Sequence, residues 1–218
     1  MGIYLVLFSG YFSVKTVQVQ GAHFASSEQI QALVPTGHDI WFLSTREITD
    51  RVMQYPSVQS ATVQRGLPNS VRIVVREKQP ALIWISGNTC YVLDASGTAF
   101  AQFSRVDIPE LGVPRVYDVE NVPVKLGQQV AGISFVQFVT SASEQFASLL
   151  PQVTINSIEI SDTTYEVTFY STQGLTVEMS SLSDAGVQVR NLTRLIHQKD
   201  ATLTSNVNLT VDRWAYVN

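Results

Sequence analysis

The sequence predicts an α+β protein, on three observations. Between Phe12 and Lys78 the spacing of apolar residues runs from period two to two short helical stripes and back to period two. After Pro80 most apolar runs alternate with polar neighbours, the mark of antiparallel strands wet on one face. Near Gly132–Pro151 and Asp184–Lys199 helical spacing returns, so two helices are expected to pack on that sheet.

The elements are justified in chain order. Val17 and Val19 alternate with Gln18 and Gln20 before Gly21, which predicts a first strand. Ser26 with Gln29 has capping-box spacing, and Ile30, Leu33 and Val34 form a short stripe closed by Pro35 and Gly37. Ser44 with Glu47 repeats the arrangement ahead of Ile48, Val52 and Met53, and Pro56 forbids continuation. Ala61 and Val63, a turn over Gly66–Asn69, then Val71, Ile73 and Val75 read as a hairpin.

Beyond Phe100, Pro109, Pro114 and Pro123 suggest a long connection over Phe103–Pro123 containing at most a turn or short strand. Phe135, Phe138, Val139, Ala142, Phe146, Leu149 and Leu150 share one helical face and belong to a core. Ile155, Ile158 and Ile160 precede two alternating runs, Tyr165–Phe169 and Leu175–Met179, separated by Ser171–Gly174. Asp184 is placed to cap a helix carrying Ala185, Val189, Leu192 and Ile196. Val207–Val217 reads as one final strand, with Trp214 and Tyr216 sharing a face.

Composition narrows the function. A net charge of -4, with no cluster of Lys and Arg, argues against a nucleic-acid surface. One cysteine, Cys90, excludes an internal disulfide, and its place in the apolar run Thr89–Leu93 suits a buried, inert thiol. His23, His38 and His197 have no metal-ligand spacing. Asp94, Asp162 and Glu166 lie on different predicted elements with no reason to converge. Neither a Gly-rich phosphate loop nor a nucleophile motif is present, so no catalytic residue, cofactor or metal site is expected. Arg46, Arg51 and Arg65 fit a solvated face. Ile3–Phe8 is apolar and no charge precedes Lys15, yet a spanning helix needs about 20 apolar residues.

The hairpin and the residues after it carry a family resemblance. Ala61-Thr-Val-Gln-Arg65-Gly-Leu67-Pro68-Asn69-Ser70-Val71-Arg-Ile-Val-Val75-Arg-Glu77-Lys-Gln-Pro80-Ala81 resembles the end of a POTRA domain. Pro80-Ala81-Leu-Ile-Trp84 and Tyr91-Val-Leu-Asp94-Ala-Ser-Gly97-Thr-Ala-Phe100 resemble the passage by which bacterial cell-division proteins of the FtsQ/DivIB family enter a second β domain. Toward the C-terminus, Val189–Ile196 and Leu209–Val217 resemble the family's last helix and strand, although Val211-Asp212-Arg213 departs from its usual order.

The resemblance implies residues 1–12 as the outer end of a transmembrane helix, 13–79 as a POTRA module of order β-α-α-β-β, and 80–218 as an FtsQ-type β domain. It implies a non-enzymatic, single-pass inner- or plasma-membrane scaffold at the septum, most of it extracytoplasmic. Its partners would be coiled-coil proteins of the FtsB/DivIC and FtsL type and the septal peptidoglycan synthase. A terminal strand at a sheet edge could take a partner segment as an added strand. Val211, Arg213, Trp214 and Tyr216 are the expected partner-binding residues, with ordinary packing of the two aromatics as the competing account. A POTRA-containing chaperone or transport component for secreted or outer-membrane chains is the alternative, but a second POTRA copy and porin-like strand runs are absent from the sequence.

Overall fold

The computed structural model describes residues 10–161, 165–198 and 206–210, together with the backbone of Tyr216–Val217. The chain divides into two compact units, one ending at Lys78 and the other starting at Gln79.

The first unit runs β1 (Thr16–Gln20), α1 (Ser27–Ala32), α2 (Thr45–Val52), β2 (Val58–Gly66) and β3 (Ser70–Glu77). Both helices start where the sequence places their caps: Ser26 Oγ accepts from the Gln29 amide and Ser44 Oγ from the Glu47 amide. The sheet order is β1-β3-β2. Because β1 lies parallel to β3, with Val17 opposite Val71 and Val19 opposite Ile73, its connection must cross the sheet, and both helices lie in that crossover. Ile30, Val34, Ile48 and Val52 of the helical segment bury against Val71, Ile73 and Val75 of β3.

One buried carboxylate locks this arrangement. Glu77, at the end of β3 and 6% exposed, accepts the backbone N–H groups of His23 at 2.8 Å, Phe24 at 3.0 Å and Ala25 at 2.8 Å. Amides of the turn between β1 and α1 are thereby satisfied without a strand partner. Gly21 opens that turn at φ +81°, and a Cβ there would meet the Val75 carbonyl oxygen at 2.2 Å, so the close approach requires glycine.

The second unit runs β4 (Leu82–Ser86), β5 (Thr89–Leu93), β6 (Ala99–Ser104), a 3-10 turn (Arg105–Asp107), β7 (Arg115–Asp118), α3 (Ile133–Leu149), β8 (Ile155–Ile160), β9 (Glu166–Ser171), β10 (Thr176–Ser180), α4 (Ala185–Gln198), β11 (Asn206–Asn208) and β12 (Tyr216–Val217). They form one sheet in the order β12-β11-β10-β9-β8-β7-β4-β5-β6. Most neighbours are antiparallel, as expected, but β4–β7, β7–β8 and β10–β11 are parallel. Helices α3 and α4 cover one face: Phe135, Val139, Phe146, Val189 and Leu192 join Leu82, Trp84, Val116, Phe169 and Val177 in the core. The Phe146 and Phe169 rings lie 5.4 Å apart.

Two stretches refine the sequence expectations here. The proline-rich stretch read as a connection with at most a turn or short strand does hold a short strand, β7, which lies inside the sheet between β8 and β4. Its upstream part folds over the face opposite the helices, where Ile108, Leu111 and Val113 close a small second core over Ile83, Ile85 and Cys90. The final run is also more than one strand. After β11, Asn208 Oδ1 accepts both the Thr210 amide at 2.9 Å and the Thr210 hydroxyl at 2.7 Å, a side-chain-stabilised turn. The chain then returns as β12, antiparallel to β11.

Candidate functional site

The sheet edge formed by β12 is the candidate site. On its inner side Tyr216 pairs with Asn208 and Val217 with Val207, and β11 in turn lies parallel to β10. Strand β12 therefore ends the sheet, and its described partner is β11 alone. Of the four residues expected to bind a partner, the structure places Tyr216 by its backbone, in this edge strand. Val211, Arg213 and Trp214 lie outside the described residues.

The register identifies what leads to that edge. One row crosses the sheet from Tyr117 through Glu159, Thr168, Glu178 and Asn208 to the Tyr216 position. Asn208 Nδ2 donates to a Glu178 carboxylate oxygen, tying β11 to β10 through side chains as well as backbone. Beside this row, burial pushes the Tyr170 hydroxyl pKa up, and the charge of Glu159 and its hydrogen bond with that hydroxyl add to the shift. Sequence reasoning did not single out these polar residues. The signal was present: Glu159, Glu178 and Asn208 each stand between two buried apolar residues, which puts them on the opposite face from the helices.

Other candidates are dispersed. Asp94 Oδ1 accepts from the Ser96 and Thr98 amides, so it organises the β5–β6 turn. Cys90 is buried in the small second core, and burial raises its pKa against the opposing pull of Arg105 and Arg115. His197 Nδ1 lies 2.7 Å from the Thr193 carbonyl in the last turn of α4. His23 and His38 are exposed, and Asp162 lies outside the described residues. Arg51 pairs with Glu47 at 2.6 Å along one turn of α2, and Arg65 donates to the Leu43 carbonyl at 2.5 Å. Among the described residues no three His, Cys, Asp or Glu side chains converge as a metal site. Nor is any described helix long and apolar enough to cross a membrane. The segment expected as the end of such a helix falls largely outside the described residues, and Gly10–Phe12 form a turn.

A strand, two helices and a hairpin, with the first strand parallel to the last, define a POTRA module, and the family model for "POTRA domain, FtsQ-type" matches residues 12–78. Similarity extends past that module. The chain is 34% identical over 129 residues to the cell division protein FtsQ of Chloroflexus aurantiacus, covering 59% of this chain and 47% of the relative. It is 33% identical over 131 residues to FtsQ of Chloroflexus aggregans, covering 60% and 47%. It is 23% identical over 192 residues to the cell division protein DivIB of Clostridium acetobutylicum, covering 87% and 69%. The first unit is thus similar to FtsQ-type POTRA domains, and similarity to the FtsQ and DivIB cell division proteins runs on into the second unit. Its matches span about half the length of the two Chloroflexus relatives.

Proposed function

We propose that this chain is a non-enzymatic scaffold of the bacterial division machinery, anchored in the membrane by an N-terminal helix and presenting both units outside the cytoplasm at the septum. It holds other division membrane proteins, and part of that capture is the addition of a partner strand to β12. The partners are coiled-coil proteins of the FtsB/DivIC and FtsL type and the septal peptidoglycan synthase. The observation that carries the reading is the position of Tyr216–Val217 at the end of a nine-stranded sheet. A row of backbone N–H and C=O groups there supplies affinity to any extended segment, and side chains next to the edge select among segments. Relatives named as cell division proteins supply the biological setting.

The test is titration of the purified chain against a labelled peptide from a coiled-coil division protein of the same organism. Trp214→Ala combined with Tyr216→Ala should weaken binding by about tenfold or more, as loss of an aromatic interface anchor does, with the far-UV circular dichroism unchanged. Undiminished binding by the folded double variant would reject this surface.

A further inference from the structure

The first unit carries an exposed aromatic cluster that neither its core nor the β12 edge uses. Phe42 is 87% exposed, Tyr11 58% and Trp41 45%. The rings are organised: Tyr11 and Phe12 meet edge to face at 5.2 Å, and Phe12 lies 5.7 Å from Trp41. The backbone beneath them is fixed too. Asp39 Oδ1 accepts the Trp41 amide at 2.9 Å and the Asp39 carbonyl accepts the Phe42 amide at 3.2 Å, a tight turn that holds the two rings at its tip. That turn is stapled to the entering chain, for the Ile40 amide donates to the Phe12 carbonyl at 2.9 Å and the Val14 amide to the His38 carbonyl at 2.9 Å.

We infer that Tyr11, Trp41 and Phe42 form an interfacial foot that seats the first unit on the bilayer surface, Trp41 and Tyr11 at headgroup depth and Phe42 among the first methylenes. This rests on the membrane attachment proposed above. Two features of the chain favour lipid over a protein occupant. Only Ser9 and Gly10 separate Tyr11 from Ile3–Phe8, a stretch that is apolar and uncharged, so whatever receives it lies near the cluster. The cluster itself is Tyr, Trp and Phe, the first two being the residues enriched at membrane–water interfaces because an apolar ring and a polar tip suit that boundary. Exposed rings scattered singly are ordinary, whereas large rings gathered on neighbouring turns mark an interaction or membrane surface.

The experiment uses the full chain and unilamellar phosphatidylcholine vesicles, with and without phosphatidylglycerol. In a Trp84→Phe, Trp214→Phe background Trp41 is the reporter. Its emission should shift blue on vesicle addition and be quenched more strongly by lipids brominated near the headgroup than by lipids brominated near the chain end. Phe42→Ser should lower vesicle partitioning by roughly tenfold, the order expected for exposing one buried aromatic ring. Flotation with vesicles but no change in Trp41 emission would overturn the foot while leaving attachment through the N-terminal segment standing. No flotation at all would overturn both. A dimer in vesicle-free sedimentation that Phe42→Ser abolishes would show the cluster to be a contact between copies, and would also overturn the proposal.

Discussion

Replacing Glu77 by alanine should be among the most damaging single changes in the first unit, and the structure sets the size. The carboxylate accepts the N–H groups of His23, Phe24 and Ala25, all at 3.0 Å or less. Hydrogen bonds to a charged group contribute about 1.5–3 kcal/mol each, but the three do not simply add. His23 is exposed and Phe24 half-buried, so water can replace part of what those amides lose, whereas the Ala25 amide belongs to a buried residue. The expected cost is about 3–5 kcal/mol, mostly the penalty of an amide left without an acceptor. Glu77→Gln keeps one carbonyl oxygen but turns an NH2 toward N–H donors, and should cost about 2 kcal/mol. Calorimetry on the full chain reads the losses, at roughly 4–8 °C per kcal/mol for a domain of this size. Hydrogen exchange localises them, with amides 23–25 opening first. A loss below about 1 kcal/mol for Glu77→Ala, or a glutamine variant equal to wild type, would refute the assignment.

Gly21→Ala and Gly37→Ala both place alanine at positive φ, +81° and +78°, but only Gly21 faces a carbonyl oxygen at 2.2 Å. The first should cost about 2–4 kcal/mol and the second about 1 kcal/mol in urea unfolding; equal losses would remove the close-approach argument. Phe146→Ala, emptying a fully buried position against Phe169, should cost the second unit about 3–5 kcal/mol by thermal melting. Cys90 has its thiol pKa raised by burial, so the neutral thiol is the form the fold favours. Its contribution to stability is complete below the unfolded thiol value of about 8.5 and is lost as pH climbs through the higher folded value. Thiol labelling should stay slow in the folded chain at pH 8 and become fast on unfolding; labelling at the rate of a free cysteine would contradict that.

How far the sequence could be read depended on whether local pattern or long-range pairing decides an element. Ser26 and Ser44 act on amides three residues away, and the stripes of α1, α2 and α3 lie within single segments, so caps and helices were visible. Strand β7 was not. Its four residues carry too short an alternation beside Pro114, and its interior place comes from parallel pairing with β4 and β8, which lie on either side of it in sequence. The role of Glu77 was hidden for the same reason, since its amide partners lie 52–54 residues away and no local rule connects them. At the C-terminus, the even alternation from Val207 onward could not reveal that Asn208 spends its side chain on a turn.

That turn bears on which edge of the large sheet a partner can use. At the far edge, β6 starts against the protein's own loop: the Ala99 amide donates to the Gln128 carbonyl at 2.9 Å, and the Gly127 amide to the Ala99 carbonyl at 2.7 Å. Gly97 fits so tightly there that a Cβ would meet the Ala131 carbonyl oxygen at 2.0 Å. An incoming strand would have to displace those bonds before forming its own, and exchanging one set of backbone bonds for another yields little net free energy. At β12 the described hydrogen-bonded neighbour is on the inner side only, and β12 pairs antiparallel with β11, which the Asn208 side chain closes off with its turn at Thr210. An added strand there would extend a ladder already braced by the Asn208–Glu178 contact, so weakening that brace with Asn208→Ala should reduce partner affinity even though no partner atom touches the asparagine. Affinity that is unmoved by Asn208→Ala but lost with Trp214 and Tyr216 would mean that side-chain anchoring, and not backbone pairing, holds the partner.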